Sequence, residues 1–116
     1  MWDHDPTMTD PETPDPAATR IVSFIEWPAP GLSIDDARRV AAETGRAFRR
    51  IPGLVDYRFF GDFETGRHVY LQVWESQAAL DAYMASESMF RIREIAARFV
   101  GGAPTRRIFV DYTDEA

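Results

Sequence analysis

The sequence predicts an α+β domain of β-α-β-β-α-β order, with a four-stranded antiparallel sheet and both helices on one face. Three observations predict it. Four short segments rich in Ile, Val, Phe, Tyr and Trp alternate in side-chain character with the period of two that marks a strand. Two intervening segments carry apolar residues at the i, i+3, i+4, i+7 spacing of an amphipathic helix. The two middle strands are separated by Asp62-Phe63-Glu64-Thr65-Gly66, a short glycine-containing connection that reads as a hairpin. Two β-α-β units joined through a hairpin make the split βαβ, or ferredoxin-like, arrangement.

The first strand runs from Arg20 to Trp27 and is stopped by Pro28-Ala29-Pro30-Gly31. Ser33 is placed to cap a helix, with Asp36 three residues on as a weak capping box. The inner stripe of that helix is Ile34, Ala37, Val40, Ala41, Thr44, Ala47, Phe48 and Ile51, and Pro52-Gly53 ends it. Leu54 to Gly61 and Arg67 to Glu75 form the hairpin, with Tyr57 and Phe59 sharing a face with Val55. Ser76 caps a second helical region, which is expected to break near Ser86-Glu87-Ser88 and resume through Met89, Ile92, Ile95, Ala96 and Phe99. Gly101-Gly102-Ala103-Pro104 terminates it, and Thr105 to Tyr112 is the last strand.

Residues 1–19 stand apart in composition. They hold four of the eight prolines, and their only large apolar side chains are Met1, Trp2 and Met8. Such a segment cannot bury enough surface to offset its ordering entropy, so it is expected to be a disordered, acidic, Pro-rich tail. The domain is then residues 20–112, with 113–116 as a short C-terminal tail. Five of the 19 acids (Asp3, Asp5, Asp10, Glu12, Asp15) lie in the N-terminal tail, which leaves 14 acids against 13 bases in the remainder. A near-neutral domain behind an acidic tail is a poor nucleic-acid binder, because phosphate contacts need a basic face. No apolar run approaches the roughly 20 residues of a membrane span. The first residues lack the basic and apolar regions of a secretory signal, and there is no cysteine, so the expected location is cytoplasmic. All bases are arginine, and the chain contains neither lysine nor asparagine.

Both faces of the predicted sheet are apolar. Val69, Leu71 and Val73 alternate with His68, Tyr70, Gln72 and Trp74, while Ile21, Ile25 and Trp27 oppose Val22 and Phe24. Two helices cover one face only. The other would expose a larger apolar patch than monomers usually carry, and pairing with a second copy to give a homodimer is the economical solution.

Ile51-Pro52-Gly53-Leu54, a hairpin, the strand Val69-Tyr70-Leu71-Gln72-Val73-Trp74-Glu75-Ser76, a helix with Ala78, Leu80 and Tyr83, and then Ser86 to Phe90 together resemble the antibiotic-biosynthesis monooxygenase family of dimeric α/β-barrel proteins. The resemblance covers about residues 20–112. It implies a dimeric α/β barrel, a cleft between sheet and helices, and oxidation of a small aromatic or polyketide-like phenol by dioxygen without metal, haem or flavin. Trp74 matches the tryptophan that ends the third strand in several members. Members that oxidise anthrone-like phenols usually place asparagine four residues earlier, where this chain has Tyr70. Haem-degrading members carry a histidine in the second helical region, and this chain has none between Gln77 and Val100.

Read from the residues alone, the pleat sets an imidazole, a phenol, an amide and an indole in one row: His68, Tyr70, Gln72 and Trp74. Such a row can stack on and hydrogen-bond a phenolic ligand, with His68 as a base for the phenolic proton. Trp74, Tyr70 and His68 are thus the candidate catalytic residues. Gln72, Tyr57, Phe59, Tyr83, Met84, Phe90 and Arg91 are candidate substrate contacts, with Arg91 and Arg93 able to clamp an anion. The alternative reading makes Trp74 core, Tyr70 an interface residue, His68 and Gln72 solvated at a strand end, and the Tyr83-Met84-Met89-Phe90 stripe ordinary helix packing. Only His4 and His68 are present and no Glu-x-x-His pair occurs, so no metal site is expected. Three functions stay open: a cofactor-independent monooxygenase; a cyclase, isomerase or decarboxylase using the same pocket; and a non-catalytic small-molecule-binding protein.

Overall fold

A computed structural model describes residues 19–98 and 101–113. The tail expected over residues 1–19 falls outside the described residues except for Thr19, and the short C-terminal tail except for Thr113. In chain order the elements are β1 (Ile21–Pro28), α1 (Ile34–Phe48), β2 (Leu54–Asp62), β3 (Arg67–Trp74), α2 (Gln77–Met84), α3 (Glu87–Ala97) and β4 (Thr105–Val110). The strands form one sheet of order β2-β3-β1-β4, antiparallel throughout. This is the ferredoxin-like topology, with the second helical region in two pieces.

The caps explain the helix boundaries. Ser33 Oγ accepts from Asp36 N at 3.1 Å and fixes the start of α1. Ser86 acts at both ends of the break between α2 and α3. Its hydroxyl donates to Tyr83 O at 2.6 Å, where α2 ends, and accepts from Met89 N at 3.4 Å, where α3 begins. Gly53, at φ +80°, makes the turn into β2, and its carbonyl accepts from Glu75 N at 2.8 Å, tying that turn to the end of β3.

Two local expectations are corrected. A bulge lies between Leu54 and Asp56, so that Leu54 opposes Trp74 while Asp56 opposes Val73. The extra residue shifts the alternation by one, and Leu54 rather than Val55 shares the helix-side face with Tyr57 and Phe59; Val55 is exposed. At the first turn of α1, Ile34 lies outside the buried stripe and is half in solvent.

The core lies between the sheet and the helices. Ile21, Ile25 and Trp27 of β1 and Tyr70 and Trp74 of β3 meet Phe48 of α1, Leu80 and Tyr83 of α2, and Met89 and Ile92 of α3. The opposite face has no helix. Val22, Phe24, Val69, Leu71, Val73, Phe60 and Phe109 lie on it, with Phe24 and Phe109 in edge contact at 5.5 Å between centroids. No helix among the described residues is long and apolar enough to cross a membrane.

Candidate active site

Between the sheet and α3 lies a cavity of about 720 Å³. Its position follows from the strand order. β1, β3 and β4 supply its sheet side, and β4 turns Arg106, Ile108 and Val110 toward the helices while Thr105, Arg107 and Phe109 face the other way. Ile25, Trp27, Tyr70 and Arg106 line it from the sheet, and Tyr83, Met89, Ile92 and Arg93 from the helices. Exposed Gly101, Gly102, Pro104 and Thr105 border it on the approach to β4.

The lining is aromatic and aliphatic with a polar corner. Arg106 Nη1 donates to Ser23 Oγ and, at 3.2 Å, to Gln72 Oε1. Ser23 and Gln72 have no solvent exposure, so the half-buried guanidinium stands on a polar floor set into the sheet. Burial pushes the Tyr70 phenol above its ordinary value, and the same cause takes Tyr83 up to about 12, with the Tyr70 phenol adding to it. Both phenols are therefore protonated at neutral pH. The Gln72 amide acts on the Tyr83 phenol in the opposite sense, although its Nε2 makes no hydrogen bond of good geometry among the described residues.

Of the residues singled out from the sequence, Tyr70 and Tyr83 lie on the cavity wall, and Gln72 lies beneath it through Arg106. Trp74 is wholly buried and packs on Tyr83 at 5.0 Å, without reaching the cavity. His68 is 3% exposed and stacks on Trp27, on the side of a smaller second cavity. Tyr57 and Phe59 pack on Phe48 under α1, and the Tyr57 hydroxyl donates to Gly45 O at 3.3 Å. Met84 is a partly buried residue packed against the core. Phe90 and Arg91 are exposed on α3 and do not line the cavity. The row of four on β3 is thus a single helix-facing row, as the pleat requires, of which Tyr70 alone borders the cavity.

Trp27, Arg106 and Ser23 carry the site without having been singled out. Trp27 is in phase with Ile25 on β1, so its inward direction was readable. Arg106 and Arg107 are adjacent in a strand, and alternation demands that one of them face the helices. Among the described residues no group of three or more His, Asp or Glu side chains could hold a metal ion.

Fold and cavity define an α+β domain of ferredoxin-like topology with one large cavity between sheet and helices. The same fold occurs in SnoaB, a cofactor-independent oxygenase from Streptomyces nogalater, with 15% identity over 84% of this chain and 98% of that one at a TM-score of 0.67. It occurs in Rv0793 from Mycobacterium tuberculosis, with 12% identity over 84% and 100% of the two chains at 0.66. It occurs also in a protein described as an antibiotic biosynthesis monooxygenase, with 21% identity over 81% and 99% at 0.63. At these identities the likeness is one of fold. No protein-family model matches the chain, and no curated protein matches it in sequence.

Proposed function

We propose that this protein is a cofactor-independent monooxygenase of the antibiotic-biosynthesis type, acting on a small aromatic or polyketide-like phenol, and that it works as a homodimer. The observation that carries the reading is the pairing of two protonated phenols, Tyr70 and Tyr83, with the Trp27 indole around one cavity sized for a few fused rings. The indole and the Tyr70 ring supply stacking surface, and the hydroxyls supply donors for a substrate oxygen. The fold shared with SnoaB, itself a cofactor-independent oxygenase, supports the same reading.

In the proposed reaction the ionised substrate gives one electron to dioxygen, and the radical pair collapses to a peroxide at the ring carbon. Loss of water then leaves a carbonyl. A CH₂ becomes C=O, one oxygen atom enters the product, and the other departs as water with the two hydrogens. Trp74 acts as a positioning residue through its contact with Tyr83, and His68 through its stack on Trp27. The dimer buries the helix-free face, where Phe24, Phe60 and Phe109 are otherwise exposed.

The test is oxygen uptake and product analysis with an anthrone-like phenol. Uptake of one O₂ per quinone formed, saturating in substrate and lost on heat denaturation, is expected. Conversion of the substrate without oxygen consumption would place the chain among cyclases or isomerases instead. No conversion of any phenol that binds would leave a binding protein.

A further inference from the structure

The cavity holds two cations and no anion. Arg106 enters it from β4 and Arg93 from α3, and none of its described lining residues is acidic. Elsewhere four arginines stand within ion-pair distance of a carboxylate: Arg39 with Asp36, Arg58 with Asp56, Arg67 with Glu26 and Arg98 with Glu43. Arg106 differs. Its two hydrogen-bond acceptors, Ser23 Oγ and Gln72 Oε1, are neutral and wholly buried. A guanidinium carries five N–H donors, and Nη1 accounts for two. The remaining three have no acceptor among the described residues. The groups that act on its charge are the Tyr70 and Tyr83 phenols and Arg93, and burial pulls its pKa down, with Arg93 working in the same direction. Taking a cation partly out of water without a counter-charge is costly, and the exposed Arg93 adds like charge beside it. The floor of the site holds the guanidinium by one nitrogen and leaves its Nε and Nη2 donors free among the described residues.

A planar fork with free donors in a stacking cavity matches a planar two-oxygen anion. We propose that the ligand of this cavity carries a carboxylate, which pairs with the free edge of Arg106 under the added charge of Arg93 while its rings lie against Trp27 and Tyr70. The substrate class is then narrowed to an aromatic phenol that also carries a carboxylate. The inference rests on the proposed oxidation only for the word substrate, and the binding itself is independent of turnover.

The experiment compares 9-anthracenecarboxylate with its methyl ester in the full chain, by calorimetry and tryptophan-fluorescence quenching, with no oxidisable substrate present. The acid is expected to bind at least about tenfold more tightly than the ester at low salt, in line with the strength of charge-assisted bonds. Arg106→Gln keeps a donor for Ser23 and Gln72 and should reduce that preference to within about threefold, while Arg106→Lys, with charge but no fork, should fall between. Arg50→Gln, in the turn after α1 and outside the cavity lining, should leave it unchanged. Equal binding of acid and ester by the parent would overturn the inference, and so would a full preference surviving in a folded Arg106→Gln or Arg106→Lys protein. A preference for the acid with no oxygen uptake on any phenol would overturn the oxidation and leave the anion site standing.

Discussion

The Trp27 indole lies stacked on the His68 imidazole, with ring centroids 5.0 Å apart and planes inclined by 25°. Trp27 borders both cavities, and His68 borders only the smaller one. The histidine therefore holds the wall of the large cavity from behind. Burial keeps its pKa below the ordinary value, against a weaker opposing pull from Asp62.

That depressed value makes His68 an acid-side weakness. The folded imidazole takes up a proton less readily than the unfolded one, so its contribution to stability is complete above the unfolded pKa of about 6.5. It is lost as pH falls from there toward the folded value, with a limiting slope of about 1.4 kcal/mol per pH unit. Thermal melts of the parent and of His68→Gln across this range should diverge, the parent losing more on acidification. Parallel curves would show an imidazole that titrates as it does in the unfolded chain.

Tyr70→Phe keeps a ring that packs on Phe48, Phe59 and Trp27 and deletes only the hydroxyl. Losing one hydrogen bond to substrate costs about 0.5–1.5 kcal/mol, or roughly two- to tenfold in kcat/KM. The melting temperature should move by no more than a few degrees. A variant as active as the parent would remove the hydroxyl from the proposed site.

Trp74→Ala should destabilise the fold by about 3–5 kcal/mol, as truncation of a wholly buried aromatic does. Trp74→Phe should cost less and act on kinetics only through Tyr83. Urea unfolding beside steady-state rates separates the two effects. A stable Trp74→Ala protein without activity would mean that the indole touches substrate after all.

Gly53→Ala tests the turn between α1 and β2. A Cβ built there meets Ala79 Cβ at 2.4 Å, and the φ of +80° is one that side chains rarely adopt. A loss of about 1–3 kcal/mol is expected, the range for a residue forced into such a region. An unchanged denaturant midpoint would show that α2 can retreat from the turn.

Light scattering at micromolar concentration should give twice the chain mass, with an interface of roughly 2,000 Å² or more. Leu71→Glu places a charge in the middle of the helix-free face, between Phe24 on β1 and Arg58 on β2. It should shift the population to monomer. A parent of single-chain mass would refute pairing through this face.

Most of the fold was legible because each element carries its own signal: period two in the strands, Ser33 and Ser76 as caps, a polar break near Ser86-Glu87-Ser88, and a glycine-closed hairpin. The phase error at Val55 arose because a bulge is a backbone event with no side-chain mark in Leu54-Val55-Asp56. The site was less legible for a different reason. Its walls come from β1, β3, α2, α3 and β4, and a row along one strand cannot say which of its members a helix will cover. His68 and Trp74 sit toward opposite ends of β3, where α1 and α2 close over them, and the gap falls at Tyr70. Arg106 escaped because a charged residue on an edge strand reads as solvated until its partners, Ser23 and Gln72, are seen to come from two other strands.

The alternation along β1 has an evolutionary consequence. Ile25 looks into the chamber and Phe24 looks out of it, and the same holds for Tyr70 and Leu71 on β3. Two selective pressures, one on what the chamber holds and one on what lies against the bare face, thus act on interleaved positions that share a backbone but no side chain. Substitutions can accumulate on one set without retuning the other. Under the proposed function, a lineage built on this sheet is free to exchange one small molecule for another while the proposed dimer stays fixed, and sequence similarity among its members should decay fastest at every second residue of the strands.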